Sequence, residues 1–242
     1  MLESKKRTPE ETAQYLKDLK NWLLQTREDP AEGMADFFAA RLDKYEDVHM
    51  GSWGAEYREI AEFFDEGLAS LLDIGCGTGL ELEAMFKRFP QLQVTGIDLS
   101  SAMLGRLREN FPGKGIRLIQ GDYFQVPFGE EAFDAALSFE TLHHFDFQKK
   151  QAIYEKLHRA LAPGGYYIEC DYIACCPEEE TLCQEHLRRK REKSGIPESQ
   201  FIHIDTPLTW EHQKALLENA GFQQVRVLYE RESTMVIRGE KG

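Results

Sequence analysis

The chain has 242 residues with 42 acidic and 29 basic side chains, a formal net charge of −13 and 42% hydrophobic residues. That length allows one large domain or one domain with a cap, and the composition excludes a disordered chain, while no run approaches the roughly 18 apolar residues of a membrane span. The acidic balance argues against non-specific affinity for a polyanion, because phosphate binding needs Lys and Arg to displace counterions, and leaves room for a local basic face.

The N-terminus, MLESKKRTPEET, has no apolar run after its basic residues, so no secretory leader is expected and the cytoplasm is the default. From residue 9 to about 27, Leu16, Leu19 and Leu23 fall on one face of a helix. A second helix is expected over 31–43 with Phe37, Phe38 and Leu42 inward, then a turn over 45–54 containing two glycines, then a helix over 55–66. Beyond it the period alternates. Short apolar runs at 70–74, 93–97, 116–119, 133–139 and 166–173 read as strands, and helical patterns stand between them, the one after the second strand opened by Ser100 or Ser101 as N-cap. Such alternation implies a mostly parallel sheet covered on both faces. The tail reads differently: a helix over 210–220, then runs at 224–228 and 234–237 joined by a charged turn at 229–233, which makes a hairpin and an antiparallel last strand.

The most specific segment is LLDIGCGTG at 71–79, where a strand ends in Asp73 and Ile74 and glycines follow at 75, 77 and 79. These glycines permit positive φ and close approach of a ligand beside the positive end of the next helix. The dinucleotide fingerprint needs a third glycine at position 80, which is Leu80, so an oxidoreductase is disfavoured. Asp98 ends the second strand, 19 residues beyond Gly79, where a carboxylate can accept from two ribose hydroxyls. Asp122 follows the third strand in IQGDYFQVPF, placed to accept from an exocyclic amine, with Tyr123 or Phe124 able to cover a base.

With LLDIGCGTG, GIDLS, GDYFQVPF, FDAALSFETLHHF and LAPGGYY in this order, the chain resembles the class I S-adenosylmethionine-dependent methyltransferases from about residue 55 to 238. The resemblance implies an α/β Rossmann-like three-layer sandwich with a seven-stranded, mostly parallel sheet, here with an N-terminal helical cap. It implies S-adenosyl-L-methionine as cofactor and S-adenosyl-L-homocysteine as product. The loop of Gly75, Cys76, Gly77 and Gly79 would pass the methionine moiety, Asp73 would fix its amino group, Asp98 the ribose and Asp122 the adenine amine. Leu99 and Tyr123 would cover the adenine, with Met103 alongside, and Phe139 and Glu140 would lie near the methionine end.

Methyl transfer is an in-line displacement at a sulfonium, so the protein mainly positions the acceptor and excludes water. His143 and His144, just beyond the fourth strand, are candidates for a base, with plain packing as the alternative. His203, with Asp205 two residues on, is a third candidate in an extended segment whose alternate side chains share a side. Tyr45, His49, Met50 and Trp53 are candidates for a lid over the substrate. Five cysteines, Cys76, Cys170, Cys175, Cys176 and Cys183, lack the C-x2-C spacing of a zinc site, so reduced thiols and no metal are expected. The basic run Arg188, Arg189, Lys190, Arg191 and Lys193 reads as a solvated helix face, with an anion grip as the alternative.

These readings divide the chain into a cap or lid at 1–54 and a methyltransferase domain at 55–242 with an insertion at 174–208. The expected function is methyl transfer to a small molecule by a cytoplasmic monomer or homodimer, without nucleic acid or membrane as partner. Modification of tRNA, or non-catalytic binding of adenosylmethionine or adenosylhomocysteine, are the rival readings.

Overall fold

The computed structural model describes residues 2–197 and 199–242. Its centre is a seven-stranded sheet in the order β3-β2-β1-β4-β5-β7-β6. The strands are β1 (Ser70–Ile74), β2 (Gln93–Asp98), β3 (Ile116–Gln120), β4 (Phe133–Phe139), β5 (Leu161–Tyr172), β6 (Gln223–Arg231) and β7 (Thr234–Glu240). β7 runs antiparallel to both its neighbours, and the remaining pairs are parallel. The chain winds outward from β1 to β3, then restarts on the other side of β1 with β4, which places the topological switch, and its crevice, beyond the carboxyl ends of β1 and β4.

Alternation along β1 sends Leu71 into one apolar layer and Leu72 and Ile74 into the other. The first layer is closed by α3 (Leu80–Arg88), through Met85 and Phe86, and by α4 (Ser101–Asn110), through Leu104 and Leu107. The second is closed by α5 (Phe147–Ala160), through Ile153 and Leu157, and by α7 (Trp210–Asn219), through Leu217. Ser100 is the N-cap of α4, its hydroxyl accepting from the Met103 amide. All five cysteines are free thiols.

The N-terminal helices depart from expectation in one respect. α1 (Pro9–Gln25) begins in a capping box of Thr8 and Glu11. The expected turn at 45–54 is instead helical, and α2 runs from Met34 to Glu59 with a single non-helical residue at Trp53 (φ −125°, ψ 19°). Glycine costs a helix interior about 1 kcal/mol against Ala, but here side-chain packing prevails. Tyr45, His49 and Trp53 recur every fourth residue, and their rings meet in tilted pairs with centroids 4.0 and 5.3 Å apart. The kink lies beside Gly54, and the boundary at 54/55 falls within this helix.

Two strand limits also differ. β5 begins five residues before the expected 166, because Leu161 pairs with Phe133 across an irregularity in the register. The tail hairpin turns on Glu232 and Ser233 alone, with Glu232 at φ 58°, as a two-residue turn requires. β6 therefore continues through Tyr229 to Arg231, where it meets α2. The Glu56 carboxylate, fully buried on α2, accepts from Arg231 Nε at 2.5 Å, Arg231 Nη2 at 2.9 Å and the Tyr229 hydroxyl at 2.9 Å. Arg231→Ala would strand that carboxylate; stability in urea unfolding is expected to fall by about 2–4 kcal/mol, near the low end for a severed buried pair because the guanidinium is a third exposed. A change below a few tenths of a kcal/mol would show that water reaches Glu56.

The segment after β5 forms α6 (Pro177–Ser194) and an extended return to α7. Of the basic run on α6, Lys190 is buried and donates to the carbonyls of Thr26 and Asp29, tying α6 to the end of α1. Arg188 and Arg189 pair along the helix with Glu192 and Glu185. No helix among the described residues is long and apolar enough to cross a membrane.

Candidate active site

The loop after β1 is built from left-handed glycines, with Gly75 at φ 69° and Gly77 at φ 48°. A Cβ on Gly75 would stand 2.3 Å from Thr141 Oγ1, and one on Gly77 3.1 Å from the Tyr45 hydroxyl. The loop is thus pressed between the end of β4 and helix α2. Asp98 secures it: one carboxylate oxygen accepts from the Gly77 amide at 3.0 Å and the other from the Ser100 amide at 2.7 Å. Burial raises the Asp98 pKa, and the two amides oppose that rise.

A cavity opens over this loop at the topological switch. Of the eleven residues expected to hold a cofactor, eight line it: Gly75, Gly77, Asp98, Leu99, Met103, Asp122, Tyr123 and Phe139. Asp122 keeps its place by accepting from the Phe124 amide at 2.8 Å. Cys76 and Gly79 pack elsewhere, the thiol toward Gly96 and the glycine against Phe111 and Leu107. Sequence reasoning did not find Met34, Phe38, Phe145 and Phe201, which complete the apolar wall. They come from the start of α2, the turn after β4 and the insertion, and no local motif marks them.

Asp73 lies off the cavity surface, 1% exposed, with neither carboxylate oxygen hydrogen-bonded; Oε1 of Glu81, on α3, is likewise without a partner. Burial, with the neighbouring Glu81 charge, pushes Asp73 well above the carboxylate range, and burial pushes Glu81 up to about 7. Two buried acids behind a glycine loop form a place where a cation would be welcome.

A second cavity adjoins the first through shared walls at Phe38, Tyr45 and Glu140. It collects all three expected catalytic histidines, His143, His144 and His203, together with Asp205 and the lid residues Tyr45, His49 and Trp53. Met50, the fourth lid residue, instead packs against the core beneath α2. Trp53 is fixed by donating from Nε1 to Thr234 Oγ1 at 3.0 Å. Glu140 closes β4 at φ 48°, a left-handed conformation rare for a side chain of its length, of the kind that gathers at functional sites. Burial, with the Asp171 charge nearby, holds its carboxyl well above the usual range.

The three histidines are in different electrostatic states. His143 donates from Nδ1 to Asp171 at 2.5 Å, and Asp171 also accepts from the amides of Leu142 and Tyr172. Burial works against its charge, but Asp171, Asp205 and Glu140 outweigh it and push His143 up to about 9. At neutral pH it therefore holds its proton rather than taking one. His203 is stacked on Phe37 at 3.5 Å, and burial with the nearby His144 pushes it down to about 3. Burial and His143 also lower His144. Asp205 shares a side with His203 as the sequence implies, but its partners are His144 at 3.2 Å and His143 at 3.6 Å.

Comparison with known proteins places this architecture. Residues 71–165 match the methyltransferase domain family. A ubiquinone/menaquinone biosynthesis C-methyltransferase of Desulfotalea psychrophila is 31% identical over 58% of this chain and 57% of its own, and a trans-aconitate 2-methyltransferase of Rhodopseudomonas palustris is 33% identical over 54% and 48%. The match marks residues 71–165 as a methyltransferase domain, the kind of protein both relatives are named for. The fold agrees: human N-acetylserotonin methyltransferase superposes with a TM-score of 0.67 at 19% identity, covering 98% of this chain and 68% of the other. The chain spans between 31% and 57% of the length of the first curated relatives it matches.

Proposed function

We propose that the protein transfers a methyl group from S-adenosylmethionine to a small-molecule acceptor. The observation that carries this reading is the pair of cavities meeting at Glu140, one floored by the glycine loop with Asp98 and Asp122, the other walled by histidines and aromatic rings. The unpartnered buried oxygens of Asp73, Glu81 and Glu140 fit a ligand that carries positive charge. When bound, the cofactor supplies an electrophilic methyl group on a sulfonium.

The chain's own residues bind and orient. Asp98 accepts from the ribose hydroxyls, Asp122 from the adenine amine, and Leu99 and Tyr123 flank the base. Met103 and Phe139 fill the floor, the loop 75–79 follows the methionine moiety, and Asp73 faces its ammonium group. Phe38 and Tyr45 divide nucleoside from acceptor and keep water from the join. Residues 1–54 serve as the cap and 174–208 as the insertion that closes the acceptor side. The fit to small acceptors is supported by two relatives whose names give trans-aconitate and ubiquinone or menaquinone biosynthesis. A cytoplasmic monomer or homodimer acting without nucleic acid completes the reading.

A metabolite extract and an RNA fraction incubated with methyl-labelled cofactor test it. Label in a small molecule is the expected result; label in RNA, or none at all, overturns it. The acid pair adds a prediction. A cationic ligand beside Asp73 and Glu81 favours their ionised forms, so the free protein's proton, held up to about pH 7, is released on binding. Affinity is expected to rise with pH up to about 7 and level off above it, with proton release visible by calorimetry in two buffers of different ionisation enthalpy. A flat profile would place the ammonium group away from these carboxyls.

A further inference from the structure

On the acceptor side of Glu140, three side chains from two distant parts of the chain converge. His143 and His144 lie on the short turn after β4, and Asp205 on the extended return that follows α6. Asp205 Oδ1 is 3.2 Å from His144 Nδ1 and 3.6 Å from His143 Nε2. One donor atom from each of the three residues lies within 4.8 Å of the other two. A tetrahedral ion with bonds of about 2.0–2.1 Å separates its donor atoms by about 3.3 Å, so these two edges already match.

A second feature points the same way. His143 gives its Nδ1 hydrogen to Asp171, which is fully buried and held by two backbone amides. That bond fixes the ring and leaves Nε2 aimed at Asp205. A carboxylate behind a histidine is the usual means of orienting an imidazole toward a metal ion. The two imidazoles and one carboxylate are the donor set of open catalytic zinc sites rather than of closed structural ones.

We propose that His143, His144 and Asp205 bind a divalent transition-metal ion of the zinc type, with its open coordination position toward the acceptor cavity. The sequence expectation of no metal weighed the cysteines, and among the described residues no converging metal-ligand group includes one. The set found here joins adjacent histidines to an aspartate 61 residues away from His144, which no local spacing reveals. An acceptor bearing a hydroxyl, thiol or carboxylate would take the open position; that part rests on the methyl-transfer reading, and the ion itself does not.

The full-length chain, stripped with a chelator and titrated with zinc sulfate by calorimetry near neutral pH, tests the site. One equivalent is expected to bind, displacing the proton that His143 holds at neutral pH in the free chain. Replacing both Cys175 and Cys176 by Ser should leave that binding intact, which guards against capture by the adjacent thiols, 3.9 Å apart. Asp205→Asn, at a side chain 43% exposed, should weaken zinc by at least about a hundredfold, and Asp171→Asn, a positioning residue, by about 10–100-fold. No binding to the wild-type chain, loss in the cysteine variant, or unchanged affinity in Asp205→Asn overturns the proposal. Binding of S-adenosylhomocysteine to each variant checks its folding. A wild-type chain that binds zinc but no nucleoside upholds the metal site and overturns the methyl-transfer reading.

Discussion

Gly75→Ala is expected to abolish cofactor binding and to lower stability by about 2–4 kcal/mol. The residue sits at φ 69°, where any side chain costs about 1–2 kcal/mol. Its Cβ would also meet Thr141, 2.3 Å from Oγ1, 2.8 Å from Cβ and 2.9 Å from Cγ2. These are the inner atoms of a short side chain, and the preceding Glu140 is itself left-handed, so the end of β4 has little freedom to yield. Overpacking of this kind costs about 1–3 kcal/mol. The loop must move, and the floor of the cavity above it moves with it. Urea unfolding and calorimetric titration with S-adenosylhomocysteine give the two readouts. Adding Thr141→Ala should recover the steric part and leave the backbone part. Undiminished affinity in a folded Gly75→Ala variant would show that the methionine end does not cross this loop.

Asp98→Ala is expected to weaken cofactor affinity by about 10–150-fold, the equivalent of about 1.5–3 kcal/mol for hydrogen bonds to a charged group. The carboxylate holds the loop through Gly77, caps the approach to α4 through Ser100, and faces the cavity. Those roles separate experimentally. A variant that loses stability and keeps its affinity would make Asp98 a latch on the loop and nothing more. Loss of affinity with modest loss of stability supports a direct contact with the ribose. Asp98→Asn should fall between, since an amide retains one accepting oxygen.

The alternation of strands and helices was legible because each strand is an apolar run bounded by Gly, Pro or Asp, and each helix shows one apolar face. The glycine loop, Asp98 and Asp122 were legible for a related reason: in a parallel sheet, residues at consecutive strand ends are neighbours in space. Helix α2 was not, because Gly51 and Gly54 carry the signature of a turn. The better indicator was the recurrence of Tyr45, His49, Trp53 and Tyr57 every fourth residue, a stripe that a helix brings into direct contact. The partners of Asp205 escaped too. Its two-residue spacing from His203 was visible, whereas His143 and His144 reach it only through the closure of the insertion over β4. Nor did the sequence indicate that Asp73 and Glu81 face each other in the dark, since nothing in LLDIGCGTGLE distinguishes a buried acid from a solvated one.

Tyr45 has an unusual position. Its hydroxyl rests near the glycine loop in one cavity, and its ring lies 4.0 Å from that of His49 in the other. A ligand entering either side meets the same tyrosine, on a helix tethered to the sheet through Glu56 and Arg231. Whatever factor cofactor binding imposes on acceptor affinity through this ring, the acceptor must return to the cofactor, since coupling between two sites is reciprocal. On the proposed methyl-transfer reading, spent cofactor and methylated product would press on one common partition, so the departure of each would be thermodynamically a matter for both.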